Sequence, residues 1–107
     1  MIKLSRLIIE GYSCNDNCYN RSKCRHWIEE VLNTLKVNYL GELNFTVNHR
    51  IIITIVGAES YLCLDTWPEE NSFITFEISS CKEFDKDKVA KAFNLFFKPQ
   101  RMLTKKG

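Results

Sequence analysis

The sequence predicts an α+β protein built as a two-layer sandwich, an antiparallel sheet with two helices on one face. Two stretches carry apolar residues at helical spacing, and several short strand-type segments separate them. Most of these segments are joined by short polar turns, as in hairpins, which is typical of antiparallel pairing. With 107 residues, the chain is expected to form a single domain over residues 1–107.

The first two predicted elements are a strand and a helix. A strand is expected over residues 2–12, ended by Gly11 and a polar stretch. Residues 22–36 carry one apolar stripe at helical spacing, which predicts an amphipathic helix with Ser22 as its N-cap. The stripe consists of Trp27, Ile28, Val31, Leu32 and Leu35.

The second and third strands are predicted over residues 37–47 and 51–57, with a bend at Gly41. Nearly every residue of 51–57 is apolar, which indicates a strand that is covered on both faces. Two helices on one side of the sheet cover one face only. We therefore expect the other face to pack against a second copy of the chain in a homodimer.

The second half of the chain continues with strands over residues 61–66 and 72–80 and a helix over residues 85–97. Apolar and polar side chains alternate along residues 72–80, as in a strand with one buried face. The buried set is Ile74, Phe76 and Ile78. Pro99 ends the helix, and residues 101–103 are expected to add a short edge strand.

Composition and charge exclude several classes of protein. The chain is 45% apolar and 26% charged, which is typical of globular proteins. A net charge of +2 with scattered lysines and arginines disfavours a nucleic-acid partner. Because no apolar run has the length of a membrane span and the N-terminus lacks a signal-peptide core, we expect a cytoplasmic protein with no membrane partner.

The five cysteines are expected to be free thiols, as in a reducing compartment. Cys14, Cys18, Cys24 and His26 have the residue types of zinc ligands. Their spacing, however, lacks the C-x2-C pair that is typical of zinc sites. We therefore predict no metal site and leave open whether these four residues bind anything.

The most informative stretch is residues 58–69, which read Ala-Glu-Ser-Tyr-Leu-Cys-Leu-Asp-Thr-Trp-Pro-Glu. This stretch resembles the Ala/Ser-Glu-Ser-His-Leu-x-x-His-Thr-Trp-Pro-Glu signature of the prokaryotic S-adenosylmethionine decarboxylase proenzymes. Upstream, residues 11–14 are similar to the family's Tyr-Gly-Cys. Downstream, residues 76–81 fall where the family has a strand that ends in a reactive cysteine. The resemblance covers nearly the whole chain.

The resemblance implies a proenzyme that cleaves itself between Glu59 and Ser60. The Ser60 hydroxyl attacks the Glu59 carbonyl, helped by strain at the turn, and the amide becomes an ester. Elimination of the ester frees a chain ending at Glu59, and residue 60 is converted to a pyruvoyl group. The pyruvoyl carbonyl condenses with a substrate amine and draws in the electrons of the departing carboxylate, as a pyridoxal cofactor does.

The resemblance also assigns roles to other residues. Cys81 matches the family's proton donor, and a thiol suits that role because its pKa lies near neutrality and can be tuned. Glu69 matches the carboxylate that binds the ribose hydroxyls. Trp67 and Phe45, the latter one residue out of register, are candidate contacts for adenine and the sulfonium cation. The predicted catalytic set is Ser60, Cys81, Asp65 and Glu59, and the predicted substrate-binding set is Glu69, Trp67, Phe45 and Leu62.

Three positions depart from the family's pattern. Tyr61 follows the nucleophile where the family has a histidine, and Asp65 stands where the family has the histidine that assists processing. Ile52 stands where the family has a processing serine, and it offers no hydroxyl. Asp65 can accept a proton, but it lacks the donor and acceptor that a neutral imidazole combines.

Three functions are therefore open. The first is a pyruvoyl-dependent decarboxylase of S-adenosylmethionine that supplies spermidine and polyamine synthesis. The second is a pyruvoyl-dependent arginine or ornithine decarboxylase, in which Asp65 binds the cationic side chain of a basic amino acid. The third is an uncleaved pseudoenzyme that acts as a binding or regulatory partner of an active relative.

Overall fold

A computed structural model describes residues 4–107 of the chain. Within this part, the strands are β1 (Ser5–Tyr12), β2 (Tyr39–Val47), β3 (Arg50–Gly57), β4 (Ser60–Trp67), β5 (Phe73–Ser80) and β6 (Arg101–Lys106). The helices are α1 (Arg21–Leu35) and α2 (Lys86–Phe97), and a short 3-10 helix covers Asp16–Tyr19. The strands form one antiparallel sheet in the order β2-β3-β4-β5-β1-β6. The predicted α+β fold class is confirmed.

Both helices pack on one face of the sheet, which we call the helix face. The indole of Trp27 in α1 contacts the rings of Phe76 in β5 and of Phe93 and Phe97 in α2, with centroids 4.9 to 5.8 Å apart. Since side chains alternate along a strand, every second residue of the central strands joins this core. These fully buried strand residues are Leu7, Ile9, Ile53, Ile55, Leu62, Leu64, Ile74, Phe76 and Ile78.

Local hydrogen bonds set the helix starts. The side chain of Asn20 accepts the backbone N–H of Lys23 at 2.9 Å, so Asn20 is the N-cap of α1. The predicted cap Ser22 is wrong, because Ser22 already lies inside the first turn of the helix. Asp85 caps α2 by accepting the backbone N–H of Lys88 at 3.0 Å.

Two tight hairpins fix the register of β2, β3 and β4. Residues 48–49 both have positive φ, as a two-residue hairpin loop requires. The second turn, between β3 and β4, comprises residues 57–60 and lies between the paired residues Val56 and Tyr61. As a result, Phe45, Ile52 and Asp65 are direct neighbours in one row across the three strands.

Element bounds agree with the sequence predictions to within a few residues, and the predicted bend at Gly41 is a β-bulge between Tyr39 and Gly41. The last strand is longer than predicted and extends to Lys106. The start of the predicted first strand, residues 2–3, lies outside the described residues. Along the described part of the chain, no helix is long and apolar enough to cross a membrane.

The opposite face of the sheet, which we call the open face, has no second layer within residues 4–107. In β3, Ile53 and Ile55 point to the helices and are fully buried, whereas Val56 points to the open face and is 48% exposed. Phe45 and Tyr61 are also exposed on this face. The expectation that β3 is covered on both faces therefore holds for one face of this chain.

Replacing Trp27 with alanine is expected to lower the free energy of unfolding by about 3–5 kcal/mol, because the indole fills the space between α1, α2 and the sheet. Urea unfolding measures the change. Leu95 in α2 is 71% exposed, so Leu95→Ala is the matched control and should change stability by less than about 0.5 kcal/mol. Equal losses for the two variants would contradict this assignment of the core.

Candidate active site

The Glu59–Ser60 peptide lies at one end of the sheet, where a hairpin leads from β3 into β4. Ser60 is the first residue of β4 and pairs with Ser80, the last residue of β5. A Cβ atom on Gly57 would lie 2.9 Å from the Ser60 Oγ and 2.7 Å from a methyl carbon of Val37. The absence of a side chain at residue 57 therefore leaves the room that the Ser60 hydroxyl occupies.

The carbonyl oxygen of Glu59 accepts two hydrogen bonds from the end of β5. The backbone N–H of Cys81 donates to it at 2.9 Å. The hydroxyl of Ser80 donates to it at 3.4 Å. Cys81 itself is exposed just beyond the strand. The structure thus brings Glu59, Ser60 and Cys81 together, although Cys81 is 21 residues from Ser60 in the sequence.

The backbone strain expected at this turn is not found. None of residues 57–60 has a positive φ, so no residue here adopts the left-handed conformation that strains a side chain. A turn without such a residue stores little strain energy of this kind. The two hydrogen bonds to the Glu59 carbonyl, rather than a strained backbone, distinguish this peptide.

A cavity of about 60 Å³ lies beside Ser60, between the end of the sheet and the loop that precedes α2. Ser60 and Ser80 line it together with the charged residues Lys36, Lys82 and Glu83. Leu35, Val37, Ile78 and Phe84 supply most of the remaining lining, and the volume is large enough for a water molecule.

Asp65 lies near the other end of β4, on the open face. Arg50 binds both of its carboxylate oxygens, with Nε 2.9 Å from one and Nη2 2.7 Å from the other. The same guanidinium stacks on Trp67, 3.5 Å from the ring centroid. Hydrogen bonding to Asp65 raises the pKa of Arg50, so the guanidinium stays charged. The residue at the family's processing-histidine position is thus one half of an ion pair.

Ser60 and Asp65 do not meet within one chain. Five residues along a strand span about 16 Å, and an odd spacing turns the two side chains to opposite faces of the sheet. Phe45 and Ile52 share the row of Asp65 on the open face. The predicted site residues therefore fall into two groups at opposite ends of β4.

Aromatic side chains surround Asp65 on the open face. Trp67 pairs across the strands with Phe73, and the Phe73 ring lies 5.0 Å from that of Tyr12. Two adjoining shallow grooves share Trp67 and Glu70 as walls. Tyr12, Asp65, Phe73 and Thr75 complete the first groove, and Arg50, Ile52 and Glu69 are among the residues of the second. Asp65, Trp67 and Glu69 thus belong to one continuous surface.

Leu62 does not belong to either group. It lies on the helix face of β4 and is fully buried in the core. Because a substrate on the open face cannot reach it, we correct its predicted substrate-binding role to one in packing. Phe45, by contrast, is exposed on β2 at the edge of the sheet.

The four residues with zinc-ligand types do not converge. Cys14, Cys18 and Cys24 are buried, whereas the His26 side chain is exposed and lies 3.1 Å from Glu30 on the outer side of α1. Burial, with a smaller contribution from Cys18, raises the pKa of Cys14 and of Cys24 to about 12. Burial also raises the pKa of Cys18. These thiols are therefore protonated near neutral pH.

Two contacts in the site were not predicted from the sequence, the Arg50–Asp65 pair and the hydrogen bond from Ser80 to the Glu59 carbonyl. The sequence does carry a signal for the Arg50–Asp65 pair: the connection between β3 and β4 is short, and the length of a hairpin connection sets the register of its strands. No comparable signal exists for Ser80. Residues 68–72 join β4 to β5, and this longer loop leaves several registers open.

The fold and the site together define a class of protein: a two-layer α+β chain in which a Glu-Ser hairpin meets a cysteine at one sheet end. The family model described as S-adenosylmethionine decarboxylase matches residues 5–106. A relative from Archaeoglobus fulgidus, named S-adenosylmethionine decarboxylase proenzyme, is 30% identical in an alignment of 105 residues that covers 94% of this chain and 91% of that protein. The chain belongs to the S-adenosylmethionine decarboxylase family, as its motifs predicted.

Two solved structures share the fold. The crystal structure of the adenosylmethionine decarboxylase from Aquifex aeolicus has a TM-score of 0.83 at 14% identity and covers 97% of this chain and 88% of that one. A Trypanosoma brucei structure, described as an AdoMetDC-delta26 monomer, has a TM-score of 0.69 at 13% identity. It covers 94% of this chain, but the match spans only 44% of the longer Trypanosoma brucei chain.

Brief alkylation of the native protein with iodoacetamide at mildly alkaline pH is expected to modify Cys81 and to spare Cys14, Cys18 and Cys24. Cys81 is exposed, whereas the other three thiols are buried and their pKa is raised. Peptide mass spectrometry reads the modified positions. In guanidinium chloride all five cysteines should react, which is the control. Modification of Cys14 or Cys24 in the native protein as fast as Cys81 would contradict the described burial.

Proposed function

We propose that this protein is a pyruvoyl-dependent S-adenosylmethionine decarboxylase proenzyme that supplies decarboxylated S-adenosylmethionine for spermidine and other polyamines. One observation carries the proposal: in a chain of this family, the Glu59–Ser60 peptide lies against Cys81, with the Cys81 N–H 2.9 Å from the Glu59 oxygen. A nucleophile, a scissile carbonyl and a thiol acid are thereby neighbours.

Self-cleavage starts at Ser60. Its Oγ attacks the carbonyl carbon of Glu59 through a five-membered ring, the C–N bond breaks, and the nitrogen of Ser60 takes the proton that Oγ has lost. Removal of the Cα proton of residue 60 then breaks its Cβ–Oγ bond and releases Glu59 as a carboxylate. Addition of water and loss of ammonia leave a pyruvoyl group at the head of residues 60–107.

The pyruvoyl group supplies a carbonyl that condenses with the substrate amine and accepts the electron pair of the departing carboxylate. The backbone of Cys81 lies beside the Glu59–Ser60 peptide, and its exposed thiol donates the proton that replaces the carboxylate on the substrate carbon. No metal ion takes part in this proposal.

We call Asp65, Trp67, Glu69 and Phe45 the open-face group, and in this proposal it binds the adenosyl part of the substrate. Glu69 accepts hydrogen bonds from the ribose hydroxyls, and Trp67 and Phe45 stack on the adenine and the sulfonium cation. Arg50 already covers one side of the Trp67 ring and holds the ring in place. The substrate stacks on the other side.

We propose a homodimer with the two open faces together, in which the open-face group of one chain lies near the sheet end that carries the Glu59–Ser60 peptide of the second chain. The substrate reaches this peptide at the sheet end, because the Ser60 side chain lies on the helix face of its own sheet. A two-fold axis that reverses the strand direction brings the Asp65 end of one β4 toward the Ser60 end of the other. The exposed apolar side chains Leu43, Phe45, Val56 and Tyr61 support such packing.

A second candidate is the uncleaved pseudoenzyme that binds or regulates an active relative. The Arg50–Asp65 pair favours it, because both oxygens of Asp65 are already bound by the guanidinium. Ile52, directly opposite Asp65 in the register, brings no hydroxyl. The same ion pair disfavours a basic amino acid as the substrate, since the carboxylate that would bind its cationic side chain is occupied.

Intact-mass spectrometry of the purified protein tests the proposal directly. We expect two fragments that divide before residue 60, the second of which carries the pyruvoyl mass, and Ser60→Ala should abolish the cleavage. A single 12.6 kDa species that is stable over days would contradict the proposal and favour the pseudoenzyme. Release of carbon dioxide from S-adenosylmethionine, with arginine and ornithine as comparison substrates, then identifies the substrate.

The double variant Ile52→Ser, Asp65→His is expected to cleave at least about tenfold faster than the natural chain, because it restores a hydroxyl and an imidazole on facing positions. Cleavage is followed on gels after cell-free synthesis. The matched control, Ile52→Val with Asp65→Asn, changes the same positions without adding either group. If the two double variants cleave at equal rates, these positions do not limit processing.

A further inference from the structure

Two donors converge on the Glu59 carbonyl oxygen, and they have different origins. The bond from the Cys81 N–H continues the ladder that joins β4 to β5 beyond the Ser60–Ser80 pair. The bond from the Ser80 hydroxyl is an addition that the ladder does not require. A serine at the last position of β5 is therefore what places a second donor on this oxygen.

The direction of the Ser80 hydroxyl is fixed. Its Oγ accepts the backbone N–H of Lys82 at 3.1 Å, which leaves the O–H free to donate to the Glu59 carbonyl. The residue is only 8% exposed, so little water competes for either bond. The hydroxyl is thus a preorganised donor, already directed at the oxygen before any reaction starts.

We propose that Ser80 is a catalytic residue of self-cleavage and that its hydroxyl and the Cys81 N–H form an oxyanion hole for the Glu59 carbonyl. This proposal rests on the proposed function above. When Ser60 Oγ bonds to the carbonyl carbon, the π electron pair moves onto the carbonyl oxygen and gives it a negative charge. The charge disappears when the C–N bond breaks and the nitrogen of Ser60 takes the proton.

The length of the Ser80 bond suits this role. At 3.4 Å, the bond is long for a hydroxyl donor, so it stabilises the resting peptide only weakly. Hydrogen bonds to an oxyanion are shorter and about twice as strong as those to a neutral carbonyl. The interaction therefore strengthens as the charge develops, and only interactions that are stronger in the transition state accelerate a reaction.

The test is the cleavage rate of Ser80→Ala in the full-length chain, followed from cell-free synthesis by gel and intact-mass spectrometry. Removal of one such donor is expected to slow cleavage about 100- to 1,000-fold. Ser80→Thr keeps the hydroxyl and should cleave within about tenfold of the natural rate, well above Ser80→Ala. Ser79→Ala is the matched control, because the Ser79 hydroxyl lies on the open face and accepts a hydrogen bond from Arg6 at 3.2 Å. It should cleave at the natural rate.

The outcomes separate this proposal from the one on which it rests. Natural-rate cleavage of Ser80→Ala overturns the oxyanion hole and leaves the proposed function standing. A natural chain that stays intact overturns both. If Ser80→Ala does not fold by circular dichroism, Ser80→Cys decides in its place, because it keeps the shape of the side chain but donates weakly. Slow cleavage by that variant supports the proposal, and natural-rate cleavage overturns it.

Discussion

The antiparallel register between β4 and β5 is the constraint on which the rest of the site depends. It sets Ser60 opposite Ser80, and so brings Cys81 to the Glu59 carbonyl across 21 residues of sequence. The core enforces this register, because a slip of one residue would turn the buried side chains of the strand that slips to the open face. Burial of apolar side chains in the core thus fixes the positions of the polar groups around the Glu59 carbonyl at the end of the sheet.

The other end of β4 carries an ion pair where the family's pattern has a histidine. A histidine at residue 65 would change its charge near neutrality. Asp65 instead lies in a bidentate pair with Arg50, whose pKa the pair raises further, and both are held against Trp67. The Arg50 guanidinium is therefore charged and is held in place by its contacts with Asp65 and Trp67.

The spacing of apolar residues was enough to predict the fold class, because burial of one face produces a regular apolar spacing in both helices and strands. The resemblance to the family's motifs was enough to predict that Glu59, Ser60 and Cys81 belong to one site. Three features escaped prediction for physical reasons. The Asn20 cap depends on the backbone angles of one residue. The unstrained turn at 57–60 depends on φ values that its residue types do not determine. The Ser80 contact depends on a register that a five-residue loop leaves free.

The strand order decides what a cut between Glu59 and Ser60 would leave behind. The first piece would contain β1, β2 and β3, and the second β4, β5 and β6. In the sheet the strands of the two pieces are mixed: β3 pairs with β4, and β1 lies between β5 and β6. The two pieces would therefore be interleaved, and their separation would break three ladders at once. Cleavage of this peptide bond would therefore give two chains that remain paired in one sheet.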